Sequence, residues 1–281
     1  MNWMQKGFCP KSDSMFENTK LVLCDLDGSL LDSEKHIDSN IKELIPKLKE
    51  KGIKFSIVSG RNNFAVREIA RELEVEHPYI CNNGAIIYDH DTPIHINPIN
   101  SDDLKEILNL LYRRNMDFVF DTKDIVYARG HNPALDAYYS QLSKHFDFVF
   151  DFDPDQLYAL EPLKITLIDD NTEVIEEIRA EINARFTQTK CNRSEGHVYV
   201  INDVGNNKGQ AVEQLAQCLD IDLKDVMVFG DNYNDVTMLK KAGYGILMKN
   251  ANDDLKTVAR YITRYDNDHH GISDFIRENL L

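Results

Sequence analysis

Short apolar runs closed by turn residues alternate with segments of helical period along the first part of the chain. Leu21–Cys24 is such a run, and it stops at Asp25-Leu26-Asp27-Gly28-Ser29. A run of this length closed by a glycine turn reads as a buried strand. Ile41, Leu44, Ile45 and Leu48 then recur at the spacing of one helical face, with Asp38 as the N-cap and Gly52 as the stop. Pro46 inside that stretch predicts a bend, or regular bonding only in the second half. Ile53–Val58 is a second strand running into Ser59-Gly60-Arg61. A helix over about Asn63–Leu73 follows, with Val66, Ile69, Ala70 and Leu73 on one face. Tyr79–Cys81 is a third strand, ending in Asn82-Asn83-Gly84. The order β-α-β-α-β predicts a parallel, doubly wound sheet.

The pattern then changes. Between Ala85 and about Lys190, short strands (Ile86–Tyr88, Phe118–Phe120, Ile125–Ala128, Ile165–Ile168) alternate with helices from Ser101, Pro133 and Asn171. Leu104, Ile107, Leu108 and Leu111 line one face of the first of these, and Ile175, Ile178 and Ile182 line one face of the last. The parallel pattern resumes with Asn207-Lys208-Gly209 opening a helix, then the strand Val226–Phe229 ending in Gly230-Asp231-Asn232-Tyr233-Asn234-Asp235. A strand at Gly245–Met248 and a helix from about Ile272 close the chain. The expectation is an α/β fold with a doubly wound parallel, Rossmann-like core sheet (20–85 and 191–281) and an inserted α+β cap (86–190). Residues 1–19 carry no apolar stretch of the signal-peptide kind and no periodicity; they read as a loose extension, with Met15 as an alternative start.

Composition narrows the function. A length of 281 residues buries a sizeable core, and 42% hydrophobic with 28% charged residues is the balance of a globular protein. A net charge of −15 argues against a nucleic-acid partner, because a phosphate backbone needs a basic surface, and against docking on anionic lipid. No apolar stretch approaches the roughly 18–20 residues of a membrane span. Five cysteines, an odd number without a CxxC pair, fit a reduced, cytoplasmic chain better than a disulfide scaffold. Cys24 adjoins Asp25 but points to the opposite face of its strand, as a core thiol.

Ligands of open α/β sheets gather at the carboxyl ends of the strands, which is where Asp25 and Asp27 fall. Two such carboxylates repel unless a cation or proton intervenes, and oxygen ligation suits magnesium. A solvated acidic turn is the plainer reading of that pair alone. A calcium loop is excluded: its sixth and twelfth positions need Gly and Glu. Counted from Asp25 they are Leu30 and His36; counted from Asp231 they are Val236 and Ala242. Ser59-Gly60 at a strand's end offers a hydroxyl and free amides to an anion, although Ser-Gly is also an ordinary turn dipeptide.

Taken together, Asp25-x-Asp27-Gly28-Ser29, Ser59-Gly60-Arg61, Lys208-Gly209 and Gly230-Asp231-x-x-Asn234-Asp235, in this order and strand context, resemble the haloacid dehalogenase superfamily. Asn82–Ala85 resembles its Cof-type, sugar-phosphatase-like branch. The resemblance covers about Lys20 to the C-terminus. It implies a phosphatase acting on a small phosphorylated metabolite through an aspartyl-phosphate. Asp25 would be the nucleophile and Asp27 the acid and then the base. Ser59, Gly60, Lys208 and Asn234 would hold the phosphoryl group. Asp25, the Asp27 backbone carbonyl and Asp231 would hold Mg2+, with Asp235 supporting the metal or Lys208 from behind. Three positions depart from the pattern: Ser29 replaces the commoner Thr, Lys249 stands where Gly is frequent, and Val200 where many relatives are acidic.

A phosphomutase using the same intermediate and a non-catalytic phosphate-ligand sensor are the alternatives. A response-regulator receiver, which also combines Asp, Ser/Thr and Lys, places its phosphorylated Asp on a different strand from its acidic pair. Leaving-group choice is expected of the insert, acting as a lid; Arg129, His131, Arg193 and His197 are its polar candidates, and spacing singles out none of them.

Overall fold

The first part of the chain forms β1 (Leu21–Cys24), α1 (Ser39–Glu50), β2 (Lys54–Ile57), α2 (Asn63–Glu72), β3 (Tyr79–Cys81), β4 (Ile86–Asp89) and β5 (Thr92–Ile96). The middle forms α3 (Ser101–Arg113), β6 (Phe118–Asp121), β7 (Val126–Arg129), α4 (Pro133–Leu142), β8 (Phe148–Val149), β9 (Lys164–Ile168), α5 (Thr172–Arg185), β10 (Thr189–Glu195) and β11 (Val198–Asp203). The last part forms α6 (Lys208–Cys218), β12 (Val226–Gly230), α7 (Val236–Lys241), β13 (Tyr244–Leu247), β14 (Tyr261–Ile262) and α8 (Gly271–Asn279). These come from a computed structural model that describes residues 15–142, 147–195 and 197–281. None of its described helices is long and apolar enough to cross a membrane.

One unit is built on a parallel sheet of order β14-β13-β12-β1-β2. Every residue of β1 is buried, as expected of a strand covered on both faces. One face of the sheet, through Leu21, Leu23, Val226 and Val228, packs on Ala211, Val212 and Leu215 of α6 and Met238 of α7. On the other, Phe229 meets Phe275 of α8 edge-on at 5.5 Å, with α1 packed against α8. Cys24 pairs in register with both Ile57 and Phe229. Because the strands are parallel, that register brings the segments after β1, β2 and β12 together at one end of the sheet.

Asp38 caps α1 as expected, accepting the Asn40 N–H at 2.9 Å, and the helix is continuous through Pro46. The expected loose extension is corrected where it is described. Phe16 is buried, with its ring 5.1–5.4 Å from those of Tyr244, Tyr261 and Phe275, because α8 and the β13–β14 edge would otherwise leave an aromatic pocket open. Residues 1–14 lie outside the described residues.

The second unit comprises Arg61–Ala65 and His95–Asn206. Its sheet has the order β10-β11-β9-β6-β7-β8. Leu104, Ile107, Leu108 and Leu111 of α3, with Ile175, Ile178 and Ile182 of α5, pack on Phe118, Phe120, Ile165 and Leu167. These bounds differ from the expected 86–190 at both ends. At the first, β4 pairs antiparallel with β3 in a separate three-stranded sheet, β3-β4-β5, so β3 is not the expected third strand of the parallel sheet, and residues through Ile94 group with the first unit. At the second, β10 and β11 form an antiparallel pair that joins β9, so this sheet continues past Lys190. β10 reads Thr-Lys-Cys-Asn-Arg-Ser-Glu, too polar to announce a strand by its apolar pattern.

Candidate active site

The loop after β1 and the loop after β12 are fastened to one another. Asp25 N–H donates to the Phe229 carbonyl at 3.0 Å, extending the ladder by one residue. Gly28 turns the first loop at φ +76, and a Cβ there would lie 2.3 Å from Asp231 Oδ2, so only glycine lets the two loops approach this closely. Ser29 Oγ donates to Asp231 Oδ1 at 3.2 Å, and Asn250 Nδ2 donates to the Gly28 carbonyl at 2.8 Å. Lys249, in the frequent glycine position, is absent from the residues of positive φ; its N–H donates to Thr263 Oγ1 at 2.9 Å. The loop therefore accommodates a lysine without strain.

Lys208, the first residue of α6, is fully buried. Its Nζ lies 2.7 Å from Asp25 Oδ1 and 2.6 Å from Asp235 Oδ1. Asp235 in turn accepts the N–H groups of Asp231 at 2.9 Å and Asn232 at 3.0 Å on its other oxygen. Asp235 is thus tied down on both oxygens, and it fixes Lys208 as well as the turn that carries Asp231. Burial alone would pull the Lys208 pKa down; the carboxylates of Asp235 and Asp25 more than reverse that and hold it charged. Burial drives the Asp25 pKa well above the usual carboxylate range. Lys208 opposes the rise, while the charges of Asp235 and Asp231 add to it. The same burial, reinforced by Asp235, pushes Asp231 up to about 7.

Asp25, Asp231 and Asp235 each offer an oxygen within 4.8 Å of the others. Three carboxylates facing one ammonium leave two negative charges uncompensated when all are ionised, which a divalent cation on oxygen ligands would balance. The residues therefore fit Mg2+, with Asp25 and Asp231 the better placed ligands because Asp235 is already engaged by Lys208 and backbone amides.

Of the other candidates, Ser59 is buried at the end of β2, its N–H donating to the Ile80 carbonyl at 2.9 Å and its carbonyl accepting the Asn83 N–H at 3.0 Å. A Cβ at Gly60 would stand 3.0 Å from Asn83 Oδ1. Asn234 Nδ2 donates to Asn83 Oδ1 at 3.1 Å. Lys35 Nζ donates to Asp27 Oδ1 at 2.8 Å, with both side chains partly exposed, and the Asp27 charge adds to the upward pull on Asp231. Cys24 is buried, and burial and then Asp25 raise its pKa, which leaves an inert core thiol. In the second unit, Arg129 is spent on the Met116 carbonyl at 2.7 Å and Asn115 Oδ1 at 2.9 Å. His131 pairs with Asp136 at 2.7 Å and stacks on Phe150 at 5.1 Å, and Arg193 lies over the Tyr199 ring. His197 is exposed. These four are engaged by neighbours of their own or lie at the surface, and Arg129 and His131 line one cavity with Phe150 and Phe152.

Residues 22–276 match the haloacid dehalogenase-like hydrolase family. This chain belongs to that family. Among its relatives is the Bacillus subtilis (strain 168) 5-amino-6-(5-phospho-D-ribitylamino)uracil phosphatase YcsE, 29% identical over 93% of this chain and 96% of that one. Another is the Escherichia coli (strain K12) pyridoxal phosphate phosphatase YbhA, 26% identical over 94% of this chain and 99% of that one. The fold is that of a haloacid dehalogenase-like hydrolase from Bacteroides thetaiotaomicron (TM-score 0.82, 24% identity, 92% and 98% of the two chains). A Thermotoga maritima protein shares it equally (TM-score 0.82, 24% identity, 94% and 98%). As a member of these hydrolases the chain is an enzyme acting on phosphoric monoesters.

Two contributions to this candidate site had no role in the sequence reading. Ser29 appears there only as a replacement for Thr, yet its hydroxyl holds Asp231. Asn83 appears only as part of a branch signature, yet it touches two of the site's loops. The Asn-Asn-Gly run after a strand was the available signal, since Asn is among the few residues that tolerate a left-handed backbone.

Proposed function

We propose that this chain is a magnesium-dependent phosphatase that hydrolyses a small phosphorylated metabolite, a sugar phosphate or similar phosphomonoester, through an aspartyl-phosphate. The observation that carries the reading is Lys208, buried and clamped between Asp25 and Asp235. A lysine is rarely buried this completely unless paired, and here it holds two carboxylates and sets an ammonium beside Asp25, where the phosphoryl group would arrive. The named substrates of YcsE and YbhA, an aminouracil ribityl phosphate and pyridoxal phosphate, are small phosphate esters of different shape. That range supports the class and leaves choice within it to residues that vary, which we assign to the insert.

In the first step an oxygen of Asp25 attacks phosphorus, and the bond from phosphorus to the ester oxygen breaks as Asp27 delivers its proton to the leaving alcohol. In the second, water attacks the aspartyl-phosphate, Asp27 takes the proton, and Asp25 is released with inorganic phosphate. Ser59, the Gly60 amide, Lys208 and Asn234 hold the phosphoryl oxygens through both steps. Asp25, Asp231 and the Asp27 carbonyl would hold Mg2+, which when bound would offset the repulsion between the phosphate ester and Asp25. A reduced, cytoplasmic setting suits both the substrate class and the free thiols of Cys24, Cys81, Cys191 and Cys218.

The test is a screen of sugar phosphates, nucleotides, flavin phosphates and pyridoxal phosphate with Mg2+, against the Asp25→Asn variant as control. Release of phosphate from at least one ester by the wild type alone supports the reading. Retention of an acid-stable phosphoryl group on a second sugar would favour the mutase, and no turnover of any ester would favour a sensor.

A further inference from the structure

The turn after β3 is built at a conformational cost. Asn82, Asn83 and Gly84 all have positive φ, at 51, 56 and 101. Gly84 is pressed against α6: a Cβ there would lie 2.8 Å from Ala211 Cβ and 2.9 Å from the Asn207 carbonyl. Asn207 is the N-cap of the helix that begins with Lys208. Asn83 faces the other way. Its N–H donates to the Ser59 carbonyl at 3.0 Å, its Oδ1 accepts from Asn234 Nδ2 at 3.1 Å, and that Oδ1 sits 3.0 Å from where a Gly60 side chain would begin. One turn therefore touches the Ser59-Gly60 loop, the Asn234 loop and the start of the Lys208 helix. Asn234 Oδ1 is buried without a hydrogen-bond partner among the described residues, so Asn83 is the side-chain anchor that sets which way the Asn234 amide points. A carboxamide has two N–H donors; one goes to Asn83 and one remains.

From this geometry we infer that Asn83 is a positioning residue for the phosphoryl site: it holds the Asn234 amide so that the remaining N–H is presented to a phosphoryl oxygen, and locks that amide to the Ser59-Gly60 loop. This rests on the reading of Asn234 as a phosphate contact given above. It explains why the left-handed position carries an asparagine, where glycine would cost the backbone less but bring no acceptor.

Asn83→Gly is the informative variant, since glycine keeps the positive φ without strain and deletes only the side chain; alanine would confound the two. The experiment compares kcat and KM for p-nitrophenyl phosphate with Mg2+ in the wild type, Asn83→Gly, Asn234→Ala and the double variant. Asn83→Gly should lower kcat/KM by about tenfold, chiefly through KM, with Tm unchanged. In the Asn234→Ala background the same substitution should cost less than about twofold, because the group it positions is already gone. Additive losses would overturn the inference and leave Asn83 as a prop for the Ser59 loop, and a wild-type kcat/KM in Asn83→Gly would overturn it outright. A wild type that hydrolyses no ester at all would count against the proposed function instead. The same four proteins are then titrated with inorganic phosphate, where additive losses of affinity again overturn the positioning role and non-additive ones uphold it.

Discussion

Each unit of the molecule buries an aspartate beside a lysine, and the two places differ in charge balance. In the second unit Asp121, at the end of β6, stands in register with Lys164 of β9, and both are buried. Asn62 Nδ2 donates to Asp121 Oδ1 at 3.3 Å, and Asp121 Oδ2 has no hydrogen-bond partner among the described residues. One acid faces one base. In the first unit Lys208 faces Asp25 and Asp235, with Asp231 within reach of both acids. A matched pair is a way of tolerating polar groups inside a sheet face. An excess of buried carboxylates is unstable on its own terms and is retained where something positive arrives. The imbalance, more than the burial, is what marks the first place as the candidate site.

Substitution at each place should separate the two. Asp25→Asn should abolish phosphate release, with a loss of more than about 10³ in kcat, because the amide is nearly isosteric and a poor nucleophile. In chelator the variant should be at least as stable as the wild type, since it removes a charge that burial and two neighbouring carboxylates disfavour. Activity within tenfold of wild type, about 1.4 kcal/mol of barrier, would end the nucleophile assignment. Lys208→Met should lower activity by roughly a hundredfold or more. It should also destabilise the metal-free protein by about 3–5 kcal/mol in urea unfolding, because it strands buried carboxylates, and added Mg2+ should recover part of that loss. An equal deficit with and without Mg2+ would show that lysine and cation do not share the task of neutralising the acids.

Much of this was legible in the residues. Strands covered on both faces advertise themselves as continuous apolar runs, so β1, β2, β3 and β12 could be read, and the acids and hydroxyl at their ends with them. Of the strands that escaped notice, β5 contains a proline and two outward isoleucines and β10 is almost wholly hydrophilic, whereas β11 is an apolar, mostly buried run that went unread. The second compact unit accordingly runs His95–Asn206, where the sequence suggested 86–190. Within the candidate site, chain order brought forward Asp25, Lys208, Asp231 and Asp235, which the structure places together, but not which of them pair. That Asp235 clamps Lys208 depends on how α6 packs against the turn after β12, 27 residues along, and that Lys208 also reaches Asp25 depends on a contact 183 residues apart, which no local pattern encodes. The Asp27–Lys35 pair is the converse: close in sequence, yet set by a turn with Lys35 at φ 68, an unusual conformation for lysine.

Asp231→Ala sharpens the comparison at a lower level of effect. It removes one of the surplus acids and one of the proposed ligands together. The Mg2+ concentration for half-maximal activity should rise by about 10–100-fold, with kcat at saturating metal reduced less. An unchanged metal requirement would remove Asp231 from the ligand set.

The smallest change is expected at the matched pair. Burial raises the Asp121 pKa, and Lys164 and then Asn62 pull it back only in part. A folded-state pKa above the unfolded value of about 3.9 means that the stability tied to this group is fully present below that pH and is lost as pH rises through the folded value. At neutral pH the charge on Asp121 is therefore a net cost to the fold. Asp121→Asn removes it while keeping a carbonyl oxygen for the Asn62 amide, although Lys164 loses its facing carboxylate. The two effects oppose each other, and the variant should lie within about 1 kcal/mol of wild type at pH 7. It should also be less sensitive than wild type to a rise from about pH 4 to pH 8, because the titrating group is gone. Urea unfolding of both proteins across that range measures this directly. A loss beyond about 2 kcal/mol at pH 7, the scale of a group stranded without its partner, would mean that Lys164 depends on Asp121 as the Asp25 and Asp235 carboxylates depend on Lys208. The distinction between a matched pair and a charged site would then have to rest on the surplus acid alone.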